Sequence, residues 1–128
     1  MPMLWLDHIN IRTGNLAVLT DFYRRVLGLE PGPRPAFSFG GRWLYCGERA
    51  AVHLVERAAQ PRVEEVRIEH FAFRAQGLAD FLAHLESLDV GYTLADVPGY
   101  ALRQVNVYDP DGNHIEVAFD MTSEADAR

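Results

Sequence analysis

Two copies of one short stretch, Leu-Asp-His-Ile-Asn-Ile at 6–11 and Ile-Glu-His-Phe-Ala-Phe at 68–73, decide the fold of this 128-residue chain. Each copy places a histidine beside alternating apolar residues. His8 and His70 are 62 residues apart, and a later pair, His53 and Glu116, is 63 apart. A repeat of this length predicts a fold built twice from one unit, with the paired side chains at equivalent places.

The first copy, residues 4–56, is predicted to be a β-α-β-β-β unit. A strand over 4–12 alternates apolar and polar residues, and an apolar stripe over 16–27 at helical spacing ends at Gly28. The Gly40-Gly41 pair is a hairpin signal. The remaining strands are predicted at 37–39, 42–45 and 51–55.

The second copy, residues 66–120, repeats this order. A strand over 66–74 is followed by an apolar helical stripe over 78–88. Three more strands are predicted at 92–94, 102–108 and 114–119, with a tight turn at 109–112 and a polar tail at 121–128. We therefore expect one α+β domain over 1–128, with two tandem βαβββ units forming an incomplete curved sheet or barrel around a metal cavity.

Composition narrows the classes of function. The formal net charge is −6, from 18 acidic and 12 basic residues, and no basic patch indicates nucleic acid as a partner. A single cysteine excludes an intrachain disulfide and fits a reducing, cytoplasmic location. No signal peptide or membrane span is predicted. The negative charge does not exclude a small-molecule substrate that is itself anionic.

Strand alternation predicts that four potential metal ligands lie on the concave face of the sheet in their units. In each strand the apolar residues are expected to pack on the helix, which leaves the intervening polar residues on the concave side of the sheet. The four polar side chains that share this placement are His8, His53, His70 and Glu116. Three imidazoles and one carboxylate facing one point are a donor set for a divalent metal.

A single histidine in a strand is more often a satisfied polar residue than a ligand, so the prediction depends on the four equivalent positions. His53 has two open interpretations, a fourth ligand or a free general base. His114 shares the face of Glu116 and is either a pocket residue or a cap at the strand end.

Polar residues on neighbouring strands and loops are candidate substrate contacts. An arginine among them would suit a carboxylate or phosphate on the substrate, although an exposed strand-edge arginine explains each position equally well. The candidates are Asn10, Arg12, Arg42, Tyr45 and Arg103.

The sequence resembles the vicinal oxygen chelate superfamily, which includes glyoxalases, bleomycin-resistance proteins and extradiol dioxygenases. The matching residues are 6–9, then Asp-Phe-Tyr-Arg-Arg-Val-Leu-Gly-Leu at 21–29, and Asp-Pro-Asp-Gly-Asn-His-Ile-Glu at 109–116. The resemblance implies metal ligands at His8, His70 and Glu116, and a homodimer. Glyoxalase I itself has a glutamate where this chain has His53, which puts classical glyoxalase activity in doubt.

The resemblance also implies the chemistry. One divalent ion per site, Zn, Ni, Fe or Mn, would bind two neighbouring substrate oxygens and act as a Lewis acid. The expected enzyme is a metal-dependent lyase or isomerase of the glyoxalase type, with Glu116 and His53 as catalytic residues. An extradiol Fe(II) dioxygenase is one alternative. A ligand-binding protein of the bleomycin-resistance type is another, but it predicts missing ligands, and this chain retains all four.

Overall fold

The computed structural model describes residues 1–122, and the chain divides into two compact units, Met1–Glu64 and Glu65–Arg128. Each of the two predicted units, 4–56 and 66–120, lies within one of these compact units. Most of the polar tail predicted at 121–128 lies outside the described residues. The single-domain organisation over 1–128 stays a prediction.

The first unit is a four-stranded open sheet with one helix. Strand β1 runs parallel to β4, while β3 pairs antiparallel with both β4 and β2, in the spatial order β1-β4-β3-β2. The elements are β1 (Ile9–Thr13), α1 (Leu16–Arg25), β2 (Glu30–Gly32), β3 (Gly41–Cys46) and β4 (Arg49–Glu56).

Helix α1 covers one face of this sheet. Leu19 and Tyr23 on the helix are fully buried, as are Val52 and, to within 1%, Leu54 on β4. The helix ends at Arg25, three residues before the predicted end at Gly28. Gly28 has a φ of 73°, which suits glycine, and its N–H donates to the carbonyl of Arg24 at 3.1 Å. The opposite face of the sheet is left for polar side chains.

The predicted strand at 37–39 is wrong: this segment is not extended and belongs to no sheet. Pro35 lies just before it, and the N–H of Phe37 donates to the carbonyl of Pro35 at 2.8 Å, which bends the chain. The place beside β3 is taken by β2, where Pro31 pairs with Leu44. Because β2 is the edge strand, the missing N–H of Pro31 is tolerated there.

The second unit repeats the arrangement. Strand β5 runs parallel to β8, and β7 pairs antiparallel with β8 and β6, in the order β5-β8-β7-β6. Ile115 and Phe119 on β8 are fully buried, as the alternation predicted. The elements are β5 (Phe71–Ala75), α2 (Leu78–Ser87), β6 (Thr93–Asp96), β7 (Leu102–Tyr108) and β8 (His114–Asp120).

A tight turn fixes the register of β7 against β8. The buried carboxylate of Asp109 accepts hydrogen bonds from the N–H groups of Asp111 and Asn113, both at 2.9 Å, and from the Asn113 amide at 2.8 Å. Gly112 has φ 88°, a conformation that favours glycine. The turn places Asn106 opposite Glu116.

The predicted α+β fold with two tandem βαβββ units is confirmed, and each sheet is open rather than closed into a barrel. Strands β1 and β5 start later than predicted, at Ile9 and Phe71, so His8 and His70 stand just before their strands. Among residues 1–122, no helix is long and apolar enough to cross a membrane.

Candidate functional site

His53 lies at the middle of the first sheet. On β4 it pairs with Asn10 of β1 on one side and with Trp43 of β3 on the other. Its neighbours Val52 and Leu54 point into the core under α1, so the His53 side chain projects from the opposite face, where it is only 6% exposed. The predicted orientation of this residue therefore matches its burial pattern.

The His53 ring is the middle ring of a stack of three. The His8 ring centroid lies 3.8 Å away at an interplanar angle of 13°, and the Trp43 centroid lies 4.0 Å away at 11°. Two parallel rings at such short distances must cover opposite faces, so His53 is enclosed between His8 and Trp43. Burial, and then the neighbouring His8, lowers the pKa of His53. This imidazole is therefore neutral near pH 7, the form that binds a metal or accepts a proton.

Asp7 orients the ring of His8. Its carboxylate oxygen Oδ2 lies 2.7 Å from Nδ1 of His8. A carboxylate can only accept, so it keeps a proton on Nδ1 and leaves Nε2 with the free lone pair. Nε2 is then the atom of His8 that can bind a metal.

In the second unit, Glu116 takes the place that His53 has in the first. It pairs with Ala72 of β5 and Asn106 of β7, and it is 8% exposed. Its Oε2 lies 3.0 Å from Nε2 of His70. Two atoms bound about 2.0–2.1 Å from one ion lie roughly 2.9–3.4 Å apart, so this contact fits two ligands of one metal.

Glu69 joins two histidines. It contacts Nδ1 of His70 with one carboxylate oxygen, and its other oxygen lies 3.0 Å from Nδ1 of His114. Nε2 of His114 lies 2.7 Å from Oδ1 of Asn106. The hydrogen bond to Glu69 is the largest cause of a raised pKa at His70, and the charge of Glu116 adds to it.

The second unit thus contains a compact group of potential ligands. One ligand atom each from Glu69, His70, His114 and Glu116 lies within 4.8 Å of all the others. Mixed imidazole and carboxylate donors suit Zn, Fe, Ni or Mn. The residues present therefore fit a divalent metal, which supports the coarser prediction of a metal-binding group.

The first unit also encloses a cavity of about 780 Å³. The rings of His8 and His53 form part of its wall. Of the predicted substrate contacts, Asn10 and Tyr45 line this cavity, and the Tyr45 hydroxyl donates to the Pro33 carbonyl at 2.6 Å.

The three predicted arginine contacts lie elsewhere. Arg12 lines a separate cavity of about 330 Å³ together with Arg57. Arg42 donates from Nη1 to the carbonyl of Gly41 at 2.8 Å, and Arg103 in the second unit pairs with Asp96 at 2.9 Å. Their role in substrate binding stays a prediction.

Several residues of the site were not predicted from the sequence. Asp7 and Glu69 directly precede the two histidines in both copies, and this repeated acid-histidine pair was a usable signal. The contacts of Trp43 and Asn106 within the site were not predictable, because they depend on the register of β3 and β7 with their neighbours. His114, for which two interpretations were open, contacts both Glu69 and Asn106.

Fold and site together define a class: proteins of tandem βαβββ units that carry histidine and carboxylate donors on the face turned away from the helix. Residues 5–117 match the model of the Glyoxalase/Bleomycin resistance protein/Dioxygenase superfamily. The chain belongs to this superfamily, as the resemblance to vicinal oxygen chelate proteins predicted.

Several known proteins are similar to this chain in sequence or in fold. Glyoxylase I 4 of Arabidopsis thaliana is 27% identical over 120 residues, covering 88% of this chain and 68% of its own length. An integron cassette protein from V. cholerae has a TM-score of 0.70 at 26% identity, covering 93% of this chain and 97% of its own. Lactoylglutathione lyase of Agrobacterium tumefaciens has a TM-score of 0.71 at 24% identity, covering 93% and 96%, and shares the fold.

Proposed function

We propose that this protein is a metal-dependent lyase or isomerase of the glyoxalase type, acting on a small molecule with two neighbouring oxygen atoms. The observation that carries the proposal is the repeated donor pair. In each unit, the histidine before the first strand contacts the residue at the centre of the fourth strand: His8 contacts His53, and His70 contacts Glu116. Such repetition is expected of residues that bind a common kind of ligand.

We propose His8, His53, His70 and Glu116 as ligands of a divalent metal. The ion would supply Lewis-acid stabilisation of negative charge on the substrate oxygens. The chain's own residues do the rest: Asp7 and Glu69 orient the two histidines through Nδ1. Glu116 is also the proposed catalytic base, because its carboxylate is largely buried beside His70 and has a second oxygen besides the proposed ligand atom Oε2.

Metal analysis of alanine variants tests this proposal. Protein purified without chelator is expected to contain a stoichiometric divalent metal, and His8→Ala, His70→Ala and Glu116→Ala are expected to lose it. His53→Ala decides between the two roles of that residue, because it loses metal only if His53 is a ligand. His84→Ala on α2 is the matched control and should retain metal. Absence of metal from the wild-type protein would refute the proposal.

A second candidate function is an extradiol dioxygenase. The observation that favours it is the enclosure of the His53 ring between His8 and Trp43. If that ring does not bind the metal, His8, His70 and Glu116 remain, and two histidines with one carboxylate are the ligand set of non-haem Fe(II) oxygenases. Oxygen uptake by the Fe(II)-loaded protein with catechol would favour this function over the first.

We also propose that the protein is a homodimer in a reducing compartment. Large apolar side chains before β1 and β5 recur at matching positions of the two copies: Leu4 and Leu6 are each 80% exposed, Val66 is 60% exposed and Ile68 is 83% exposed. Exposed apolar side chains grouped in this way favour association with another protein surface.

A further inference from the structure

The first-unit cavity has aromatic walls that water reaches. The rings of Phe37 and Phe39 stack at 4.9 Å with an interplanar angle of 11°, and Trp43 lies 6.5 Å from Phe37. Trp5 is 59% exposed, Phe37 43% and Phe39 46%. All four rings line the same cavity as His8 and His53. A concave, exposed and aromatic surface is typical of a site that receives an apolar ligand.

A positive charge is held against this aromatic wall. The Cζ atom of Arg34 lies 5.0 Å from the ring centroid of Phe37 and 5.3 Å from that of Phe39, and its Nη2 donates to the Phe39 carbonyl at 2.8 Å. Within residues 1–122, Arg34 forms no ion pair with a carboxylate. A guanidinium fixed over aromatic rings keeps donors available, and its fork matches a carboxylate.

The acids of the cavity form no ion pair with Arg34 within residues 1–122. Asp7 and Glu48 are the two carboxylates among the lining residues. The carboxylate of Asp7 contacts His8. The other lining arginine, Arg49, lies over Trp5 with its Cζ 4.5 Å from the ring. The cavity thus offers flat apolar faces beside guanidinium groups that form no ion pair with the described residues.

We propose that this cavity binds a planar aromatic compound that carries a carboxylate, with its ring against Phe37, Phe39 and Trp43 and its carboxylate on Arg34. That this compound is the substrate rests on the proposed function. Its binding in the cavity does not, because no metal is needed for the ring and guanidinium contacts.

Tryptophan fluorescence reports on this cavity directly, because both tryptophans of the chain, Trp5 and Trp43, line it. The probe is mandelate, which has a phenyl ring and a carboxylate next to a hydroxyl. Two matched analogues each lack one feature: hexahydromandelate lacks the aromatic ring, and mandelamide lacks the charge. In the presence of chelator, mandelate is expected to change the emission at concentrations at least about tenfold lower than either analogue.

Variants locate the binding. Arg34→Gln should weaken mandelate binding about tenfold or more, because it removes a charge-assisted hydrogen bond. Phe39→Leu removes one ring while keeping Arg34 and should weaken binding as well. Arg24→Gln on α1 removes an arginine that pairs with Asp21 and does not line the cavity, and it should bind as the wild type does. Circular dichroism confirms that each variant is folded.

Two results would overturn this inference: equal responses to mandelate and both analogues, or mandelate binding that Arg34→Gln and Phe39→Leu leave unchanged. The metal content of the same samples separates the inference from the proposed function. Mandelate binding by a protein that never contains metal would refute the proposed function and support the aromatic carboxylate site. A metal-loaded protein that does not bind mandelate would refute the aromatic carboxylate site and leave the proposed function standing.

Discussion

His53 and Glu116 occupy equivalent positions in the two units, yet their surroundings differ. His53 is enclosed between two parallel rings, whereas Glu116 faces the Nε2 atom of His70. A ring stack disfavours a positive charge on His53 by removing water, and a facing carboxylate favours a positive charge on His70. The surroundings of His53 and of His70 therefore shift the pKa of these two histidines in opposite directions.

The pKa values of His53 and His70 should be shifted in opposite directions from the ordinary value of histidine. In metal-free protein, the pKa of His53 should lie below 6.5 and that of His70 above it, as measured by NMR of the imidazole protons against pH. Glu69→Gln should lower the pKa of His70, because it removes the largest cause of the increase. Equal pKa values for the two rings would show that the described contacts do not form in solution.

These two pKa shifts change the free energy of unfolding with pH in opposite directions. The pKa of His70 is raised by folding, so its contribution to the free energy of unfolding is present below pH 6.5 and lost as the pH rises through the folded value. The pKa of His53 is lowered, so the unfolded chain binds the proton first and stability falls as the pH drops below 6.5. Urea unfolding of His70→Gln and His53→Gln with chelator, at several pH values, should show each contribution disappear separately.

The acids that precede the histidines should tune metal affinity without binding the metal. Asp7→Asn and Glu69→Gln keep the size of each side chain but remove the negative charge beside Nδ1. Loss of such a partner weakens metal binding by about 10–100-fold. Competition with a coloured chelator measures this loss, and Asp80→Asn on α2 is the control. Unchanged affinity in both variants would exclude an orienting role.

At the scale of elements, alternation predicted faces better than it predicted strand ends. The apolar neighbours of His53 and Glu116 along their strands were correctly predicted to face the helix. The reason is that β4 and β8 are inner strands of their sheets, with one face under a helix. The strand predicted at 37–39 failed because its apolar residues line a cavity rather than a sheet face. Apolar alternation does not distinguish these two reasons for being apolar.

The turn at 109–112 should be a strong determinant of stability. Asp109→Ala removes a buried acceptor of three hydrogen bonds and should cost about 2–4 kcal/mol in the free energy of unfolding. Gly112→Ala should cost about 1–2 kcal/mol, because its φ of 88° strains any residue with a Cβ atom. Gly91→Ala is the control: its surroundings are open and its φ is ordinary, so urea unfolding should show little change.

At the scale of the whole molecule, the repeat made most of the fold predictable and led to the four proposed ligands. A period of 62 residues shows up in the sequence, and the equivalence of His8 with His70 follows from it. The contacts of Trp43 and the aromatic wall of the cavity were not predictable, because they depend on the β3 register and on an irregular segment. Irregular segments of this kind determine which ligand fits the cavity, and their sequences are not repeated in the other unit.

The proposed homodimer makes a prediction about mass. Sedimentation at micromolar concentrations should give twice the chain mass of 14.4 kDa. Leu6→Asp and Ile68→Asp place charges on the exposed apolar positions and should shift the protein towards the monomer. Val18→Asp, at an exposed position on α1, is the matched control and should leave the mass unchanged. A wild-type monomer at these concentrations would contradict the proposed dimer.

The central claim is that His8, His53, His70 and Glu116 are metal ligands, and a calorimetric titration of chelator-treated protein with Zn²⁺ tests it most directly. The account predicts one ion per chain, with binding lost in His8→Ala and in Glu116→Ala and retained in His114→Ala. The competing possibility is that the second-unit group of Glu69, His70, His114 and Glu116 binds the metal alone. Full affinity in His8→Ala with loss of binding in His114→Ala would contradict the account.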